Sequence, residues 1–582
     1  MFCYKLFVKN SFVNSPKLKD KTVKLISYKH IGGNTPLIYK TVGDVLDKTA
    51  EKYGDRTAIV SCYQNKRITY QEVKEQAEAF ACGLLETGVV PGDRVGIWSQ
   101  NSAEWYIISF ACAKAGFISV YLNPAYRSEE LKHCLRAVGV KVLIAADSFK
   151  NLNYFDILRK IDSNFLNGEA GQLKSDVLPE LKSIVNISDS SISSFYSFND
   201  IVKKCTGNAK DELRKISKSL GPEEPVNIQF TSGTTGSPKG AVLSHFNIVN
   251  NSYCISRRQE FHEKHHIVCF MGPLFHALGS VVAMLGCVHE GLTLVIPTTA
   301  FSPTKAVEAI VQEKCTVLVG TPTMFIDVVK IVKQKELKID TVELAISGGA
   351  YTSTVLFSDM IEYFKVKRVS SVYGLTETGP VSFMSQVNDD REKQLTTVGC
   401  LMEHVEAKVV DDNGKTLPWN TPGELWVRGY NIMKGYWSLK EKTKETITPE
   451  RWLKTGDQFV LLENGYGKIV GRKKDLIIRG GENIYPADIE EFLSTHPDIL
   501  EAQVVGLPDP RLGEQVCACI RLKPNSFLTE EEVKEFCKGK IADFKIPYYV
   551  WFVDKFPITP SAKVQKYKLQ QDAIKHFKLE SN

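Results

Sequence analysis

At 582 residues the chain is too long for one ordinary hydrophobic core, so two or more domains are expected. Its 43% apolar and 24% charged residues are ordinary for a soluble globular protein, and a net charge of +6 with no basic run or aromatic-laced basic stripe argues against a nucleic-acid binder. The longest apolar candidate, WYIISFACAKAGFISVYL, is interrupted by Lys114 and Gly116, short of the roughly 18 unbroken apolar residues a membrane span needs.

Residues 1–40 form an N-terminal segment with eight lysines, several serines and one acid, Asp20. The scarcity of acids is that of a mitochondrial transit segment; the lack of arginine departs from it, and a basic cytoplasmic N-terminus is the alternative. The C-terminal KLESN is no peroxisomal address.

From Arg94 the pattern alternates: strand at 94–98, helix in SAEWYIISFACAKAG, strand in ISVYL, helix in SEELKHCLRAV, strand in KVLIAA. The rhythm returns at AVEAIVQEKCTVLVG and VELAISGGA. Short apolar runs between helical periods predict βαβ units, hence an α/β body with parallel sheets covered by helices. Residues 150–222, with the serine-rich SDSSISSFYS, read as surface connection. Beyond Gly471 a Pro-initiated helix (ENIYPADIEEFLSTHP), two strands and a helix capped by Thr529 with Glu532 predict a small, compact α+β domain. The fourteen cysteines show no CxxC spacing, and Cys517 and Cys519 fall on one strand face; reduced thiols are expected, not a disulfide framework.

The stretch TSGTTGSPKG, Thr231 to Gly240, has no large apolar side chain. Glycine-freed backbone N–H groups, hydroxyls and a lysine suit a polyphosphate. The spacing is neither GxxxxGK[ST] nor GxGxxG.

This block, with SVYGLTETGP at 371–380, TGD at 455–457, YGKIVGRKKDLIIRGGENIYP at 466–486 and FPITPSAKVQKYKL near the end, resembles the acyl-adenylate-forming superfamily. That family includes acyl-CoA synthetases, peptide-synthetase adenylation domains and beetle luciferases. The likeness runs from Thr41 to Leu569. NPAYRSEELKHCL and PLFHALGS are most similar in texture to mitochondrial medium-chain fatty acid–CoA ligases. The resemblance implies a fatty acid–CoA ligase that joins an acid to AMP with release of pyrophosphate, then passes the acyl group to CoA. It also implies an adenylation domain at 41–472 and a mobile C-terminal domain at 473–582.

Residue by residue, it implies that Thr231, Ser232, Gly233, Thr234, Thr235, Gly236, Ser237, Pro238 and Lys239 hold the β- and γ-phosphates of ATP, and that Thr376 touches the α-phosphate. Glu377 would hold Mg²⁺, a hard cation suited to carboxylate oxygen. Gly348, Gly349, Ala350 and Tyr373 would form the adenine slot. Asp457 would take the ribose, with Arg472 beside it. Lys563 would be the catalytic lysine, Lys474 the hinge, Gly480 and Gly481 the glycines facing CoA, and His276 the gate near the substrate carboxylate. The block PLFHALGS has no acid to pair an amino acid's ammonium, which favours a fatty or aromatic acid. The family's glycine before the catalytic lysine is Ala562 here; if that position needs φ > 0, alanine costs roughly 1 kcal/mol and would slow the first half-reaction.

HEKHH (262–266) matches HExxH, but the run enters the apolar IVCFM at once, so a solvated loop is expected, not a zinc helix. Two other readings use the same motifs: a non-catalytic nucleotide- or acyl-binding module, and a luciferase-like enzyme that oxidises the adenylate.

Overall fold

The computed structural model describes residues 26–579, apart from 189, 191, 232–237, 351, 481 and 560–561. The body carries two largely parallel sheets. One has eight strands, ordered Tyr196–Ser197, Ser183–Asn186, Val140–Ala145, Arg94–Trp98, Ile118–Tyr121, Pro225–Thr231, Lys239–Ser244 and Gly435–Tyr436. The other has nine, with Arg368–Gly374, Leu344–Gly348, Val317–Gly320, Ile267–Phe270, Thr293–Ile296 and Thr57–Ser61 as its parallel centre. Runs such as Val317–Gly320 are buried throughout, as parallel strands covered on both faces must be. The helix Ala103–Lys114 is apolar all round, and every residue but Glu104 is buried.

A five-stranded antiparallel sheet completes the body. It ends in Leu453–Leu461 and Gly467–Arg472, and its first strand, Tyr28–Ile31, comes from the N-terminal segment and pairs with Val405–Val410. After Arg472 a short turn, Lys473–Asp475, leads into the α+β unit. There Gly513–Leu522 pairs with Ile499–Asp509, Ile477–Arg479 and Tyr549–Phe552. The helix Pro486–Ser494 starts on its proline, and Thr529 and Glu532 cap Glu530–Cys537 reciprocally.

Three expectations meet the structure differently or in more detail. Residues 150–222 are not mere connection: Ser183–Asn186 and Tyr196–Ser197 extend the eight-stranded sheet, and the segment forms three α-helices, Tyr154–Ile161, Phe198–Lys203 and Gly207–Ser219. Tyr154, Ile157, Leu158 and Ile161 form a buried stripe in an otherwise polar sequence. Nor are all thiols reduced: Cys82 and Cys205 form a disulfide, 123 positions apart but with Cα atoms 5.0 Å apart, where the helices Tyr70–Glu86 and Phe198–Lys203 meet. Cys517 and Cys519 are buried neighbours on one strand face, as expected. HEKHH lies after the helix His245–Arg258 has ended, so its histidines share no helical face.

The buried Arg258 ties that helix to the sheet behind the site. It donates to the carbonyls of Met384, Cys400 and Leu401 at 2.8–3.1 Å and pairs with Glu403 at 2.7 Å. Arg258→Met leaves these acceptors unpaired and is expected to destabilise the body by about 3–5 kcal/mol. Denaturant unfolding checks this; an unchanged midpoint contradicts it.

Candidate active site

The site lies at the carboxyl ends of the parallel strands, where open α/β sheets bind ligands. Thr231 ends one strand and Lys239 begins the next; the two are partners in an antiparallel pair that brackets the TSGTTGSPKG loop. Expectations for Ser232 to Ser237 fall outside the described residues. Pro238 and Lys239 are described, and Lys239 Nζ lies 4.7 Å from the ring centre of Tyr436. The Tyr436 hydroxyl donates to Glu377 Oε1 at 2.7 Å. Thr376 and Glu377 stand in a short 3₁₀ turn just after Arg368–Gly374. A cation, a ring and a carboxylate thus stand together at Lys239, where the second strand begins.

Asp457 and Arg472 face each other across two antiparallel strands, with Arg472 Nε 2.9 Å from Asp457 Oδ1. The Tyr373 hydroxyl donates to Asp457 Oδ2 at 2.7 Å, while its ring packs on Phe383 and Phe459. Burial raises the Asp457 pKa, and Arg472 and Tyr373 pull against it. Asp457 raises that of Arg472.

Lys563 comes from the C-terminal unit into this cluster. A methyl on Gly349 would stand 2.9 Å from Lys563 Cε, and Gly349 has φ +87°, so glycine serves here both in conformation and in clearance. Gly348 is constrained otherwise: a Cβ would strike Val372 at 2.2 Å. Ala350 follows them and is exposed. Burial and Arg472 lower the Lys563 pKa to about 8, against the pull of Asp457 and Glu377. His276 is held at about 3, by burial first and Lys563 second, so it is a neutral imidazole at physiological pH.

Lys563 is aimed by a tight turn. Thr559 N donates to Lys563 O at 2.7 Å, Ala562 N to Thr559 O at 2.8 Å, and Lys563 N to Thr559 Oγ1 at 3.1 Å. Ala562 has φ +58°, so the position does need a left-handed backbone. Its methyl is also buried, within the hydrophobic cluster of the body that contains Met324, Phe325 and Val328. A second bridge between the units is Thr354 Oγ1 to Glu491 Oε1 at 2.8 Å.

Lys474 is exposed in the turn joining the two units. Gly480 has φ +59° in the turn of a hairpin, and its N–H donates to Leu512 O at 2.7 Å within the C-terminal unit. Gly481 lies outside the described residues.

Sequence reasoning missed Tyr436, the partner of Glu377, which stands in no motif. It also missed Thr321, whose methyl lies beside Gly349 and whose buried hydroxyl has no hydrogen-bond partner among the described residues. Its place just past the strand Val317–Gly320 was the available signal.

Comparison with known proteins agrees with this layout. The AMP-binding enzyme family model matches residues 46–437, and the AMP-binding enzyme C-terminal domain matches 488–563. The chain belongs to the AMP-binding enzymes. It is 42% identical over 559 residues to the mitochondrial medium-chain acyl-CoA ligase ACSF2 of Mus musculus, covering 94% of this chain and 90% of the relative. It is 39% identical to the putative acyl-CoA synthetase YngI of Bacillus subtilis, covering 94% and 99%. Among solved structures, ATP-bound MatB from Rhodopseudomonas palustris matches with a TM-score of 0.75 and 28% identity, covering 91% of this chain and 98% of that one. An anthranilate CoA ligase, AuaEII, holding anthranoyl-AMP, shares the fold with a TM-score of 0.82 at 24% identity, covering 94% and 99%.

For a C-terminal unit that docks and undocks, Lys563 would make docking pH-dependent. In water a lysine titrates near 10.4; docked, Lys563 titrates at about 8. Below about pH 8 both forms are protonated and docking bears the full cost of burying the charge. Between about 8 and 10 docking releases a proton, so the docked fraction of the ligand-free protein rises with pH. Interdomain fluorescence transfer measures this, with Lys563→Met expected to flatten the response. A docked fraction that falls with pH in the wild type contradicts it.

Proposed function

We propose that the chain is an ATP-dependent acid–CoA ligase acting on medium-chain carboxylic acids. The observation that carries this is the convergence of Lys563 from one unit on Gly349, Asp457 and Arg472 of the other. In the first half-reaction a carboxylate oxygen attacks the α-phosphorus, and the bond to the β-phosphate oxygen breaks, leaving pyrophosphate with the electron pair. An anion approaching a polyanion needs fixed positive charge. Lys563 supplies it for the carboxylate and α-phosphate. Thr376 donates to that phosphate, and Thr231 to Lys239 hold the β- and γ-phosphates.

Asp457 holds the ribose. Two of its lone-pair sites are engaged by Arg472 and Tyr373; a carboxylate offers about four. Gly348, Gly349 and Ala350 present backbone to the adenine, and Tyr373 works from behind, on Asp457. Glu377, a hard oxygen donor oriented by Tyr436, fits Mg²⁺ shared with the phosphates; when bound, the ion would neutralise charge on the leaving pyrophosphate. Neutral His276 is assigned to the gate near the substrate carboxylate.

In the second half-reaction the CoA sulfur attacks the acyl carbon, the carbon–oxygen bond to AMP breaks and AMP leaves. Lys563 has no task there. We assign residues 41–472 to the body, 473–582 to a domain turning about Lys474, and the approach of the pantetheine arm to Gly480 and Gly481. Medium chain length and a mitochondrial address follow the ACSF2 relatives and the acid-poor residues 1–40. No helix among the described residues is long and apolar enough to cross a membrane.

Lys563→Met is expected to reduce ATP–pyrophosphate exchange by about 10²–10³. Thioester formation from preformed acyl-AMP stays within a few-fold of wild type. Equal loss in both halves overturns the assignment.

Ala562→Gly separates strain from docking. The hydrogen bonds between Thr559 and residues 562–563 lie within the C-terminal unit, so on this reading the left-handed backbone of Ala562 persists on undocking and its strain cancels. The buried methyl does not cancel, and its loss is worth about 0.8 kcal/mol. Exchange is therefore expected to slow about fourfold, by the same estimate. Faster exchange would mean that the alanine hinders the reaction.

A further inference from the structure

A small cavity of about 10 Å³ lies between the strand Pro225–Thr231 and the helix Leu278–Leu285, lined in part by Ser119, Tyr121, Asn227, Ser280, Val281 and Met284. That is room for one water-sized group. Asn227 Nδ2 donates to Ser119 O at 3.0 Å, but Asn227 Oδ1 has no hydrogen-bond partner among the described residues; the Ser119 hydroxyl interacts with the side chains of Cys112 and Tyr121. Both residues are at most 2% exposed. A buried carbonyl oxygen in this state calls for a donor.

The cavity lines up with the active site. Asn227, Gln229 and Thr231 share one face of their strand, and Thr231 opens the phosphate loop about 14 Å away along the strand. Ser280 Oγ donates to the carbonyl of His276, one turn back, at 3.2 Å. Gln229 Nε2 donates to Ser280 Oγ at 3.1 Å. The Gln229–Ser280 bond therefore stands between the catalytic end and the cavity.

We propose that Gln229 and Ser280 gate a chamber for the far end of the acyl chain, and that Asn227 and Ser119 there receive a hydroxyl. The preferred substrate is then an acid with a terminal hydroxyl rather than its methyl-ended counterpart. This rests on the ligase reading. A bound water offers the same donor, so the experiment distinguishes the two sources.

The test measures kcat/KM for paired medium-chain acids of stepped length, methyl-ended and terminally hydroxylated, in the wild type, Ser119→Ala and Asn227→Leu. At one length the hydroxylated acid is expected to lead by about tenfold, the worth of one hydrogen bond. Both variants should reduce that ratio toward one. Because the two acids are compared on the same variant, partial misfolding does not move the ratio. A methyl-ended preference at every length, unchanged in the variants, overturns the proposal and leaves the chamber to water. Absence of turnover with every acid instead overturns the ligase reading.

Discussion

A lysine is costly to hold away from water and beside a guanidinium, and Lys563 is held in both conditions. Burial and Arg472 push its pKa down by more than Asp457 and Glu377 restore it. Desolvation is the largest cause, so the docked lysine is incompletely compensated for the water it has lost. On the proposed account, phosphate and carboxylate oxygens would complete its surroundings and favour docking. Once pyrophosphate has left, the negative charge is reduced and the reason to stay docked weakens. In the proposed account, the electrostatics of one side chain would link domain position to the stage of the reaction.

The fold makes this arrangement possible by separating duties. Parallel strands end at Gly320, Gly348 and Gly374 and place Thr321, Gly349 and Thr376 along one rim. The antiparallel sheet brings Asp457 and Arg472 to the same rim in strand register. The remaining cation, Lys563, arrives from the C-terminal unit on a tight turn, its backbone tied to Thr559. Ala562 gives that turn a foothold, since its methyl is buried in the body although its backbone is strained.

What the sequence made legible follows from physics. Strands such as Val317–Gly320 are buried on both faces, so their apolar runs are unmistakable. The helix Ser128–Val138 shows its stripe in Leu131, Cys134, Leu135 and Val138. Asp457 and Arg472 were found because they stand in motifs, and the structure brings them together. Residues 150–222 were misread because their short helices hide small apolar stripes in polar sequence. The Cys82–Cys205 bond depends on how two helices meet, which spacing does not encode. Tyr436 and Thr321 act through position alone. The sign of φ at Ala562 could be posed as a question from its neighbours, but its burial against the other unit could not.

The most direct measurement is of the products formed from ATP when the protein is given a medium-chain acid, first without and then with CoA. The account predicts acid-dependent ATP–pyrophosphate exchange without CoA. With CoA it predicts one AMP and one pyrophosphate for each thioester made. Release of ADP and inorganic phosphate, or the absence of exchange with any acid while ATP still binds, would contradict it.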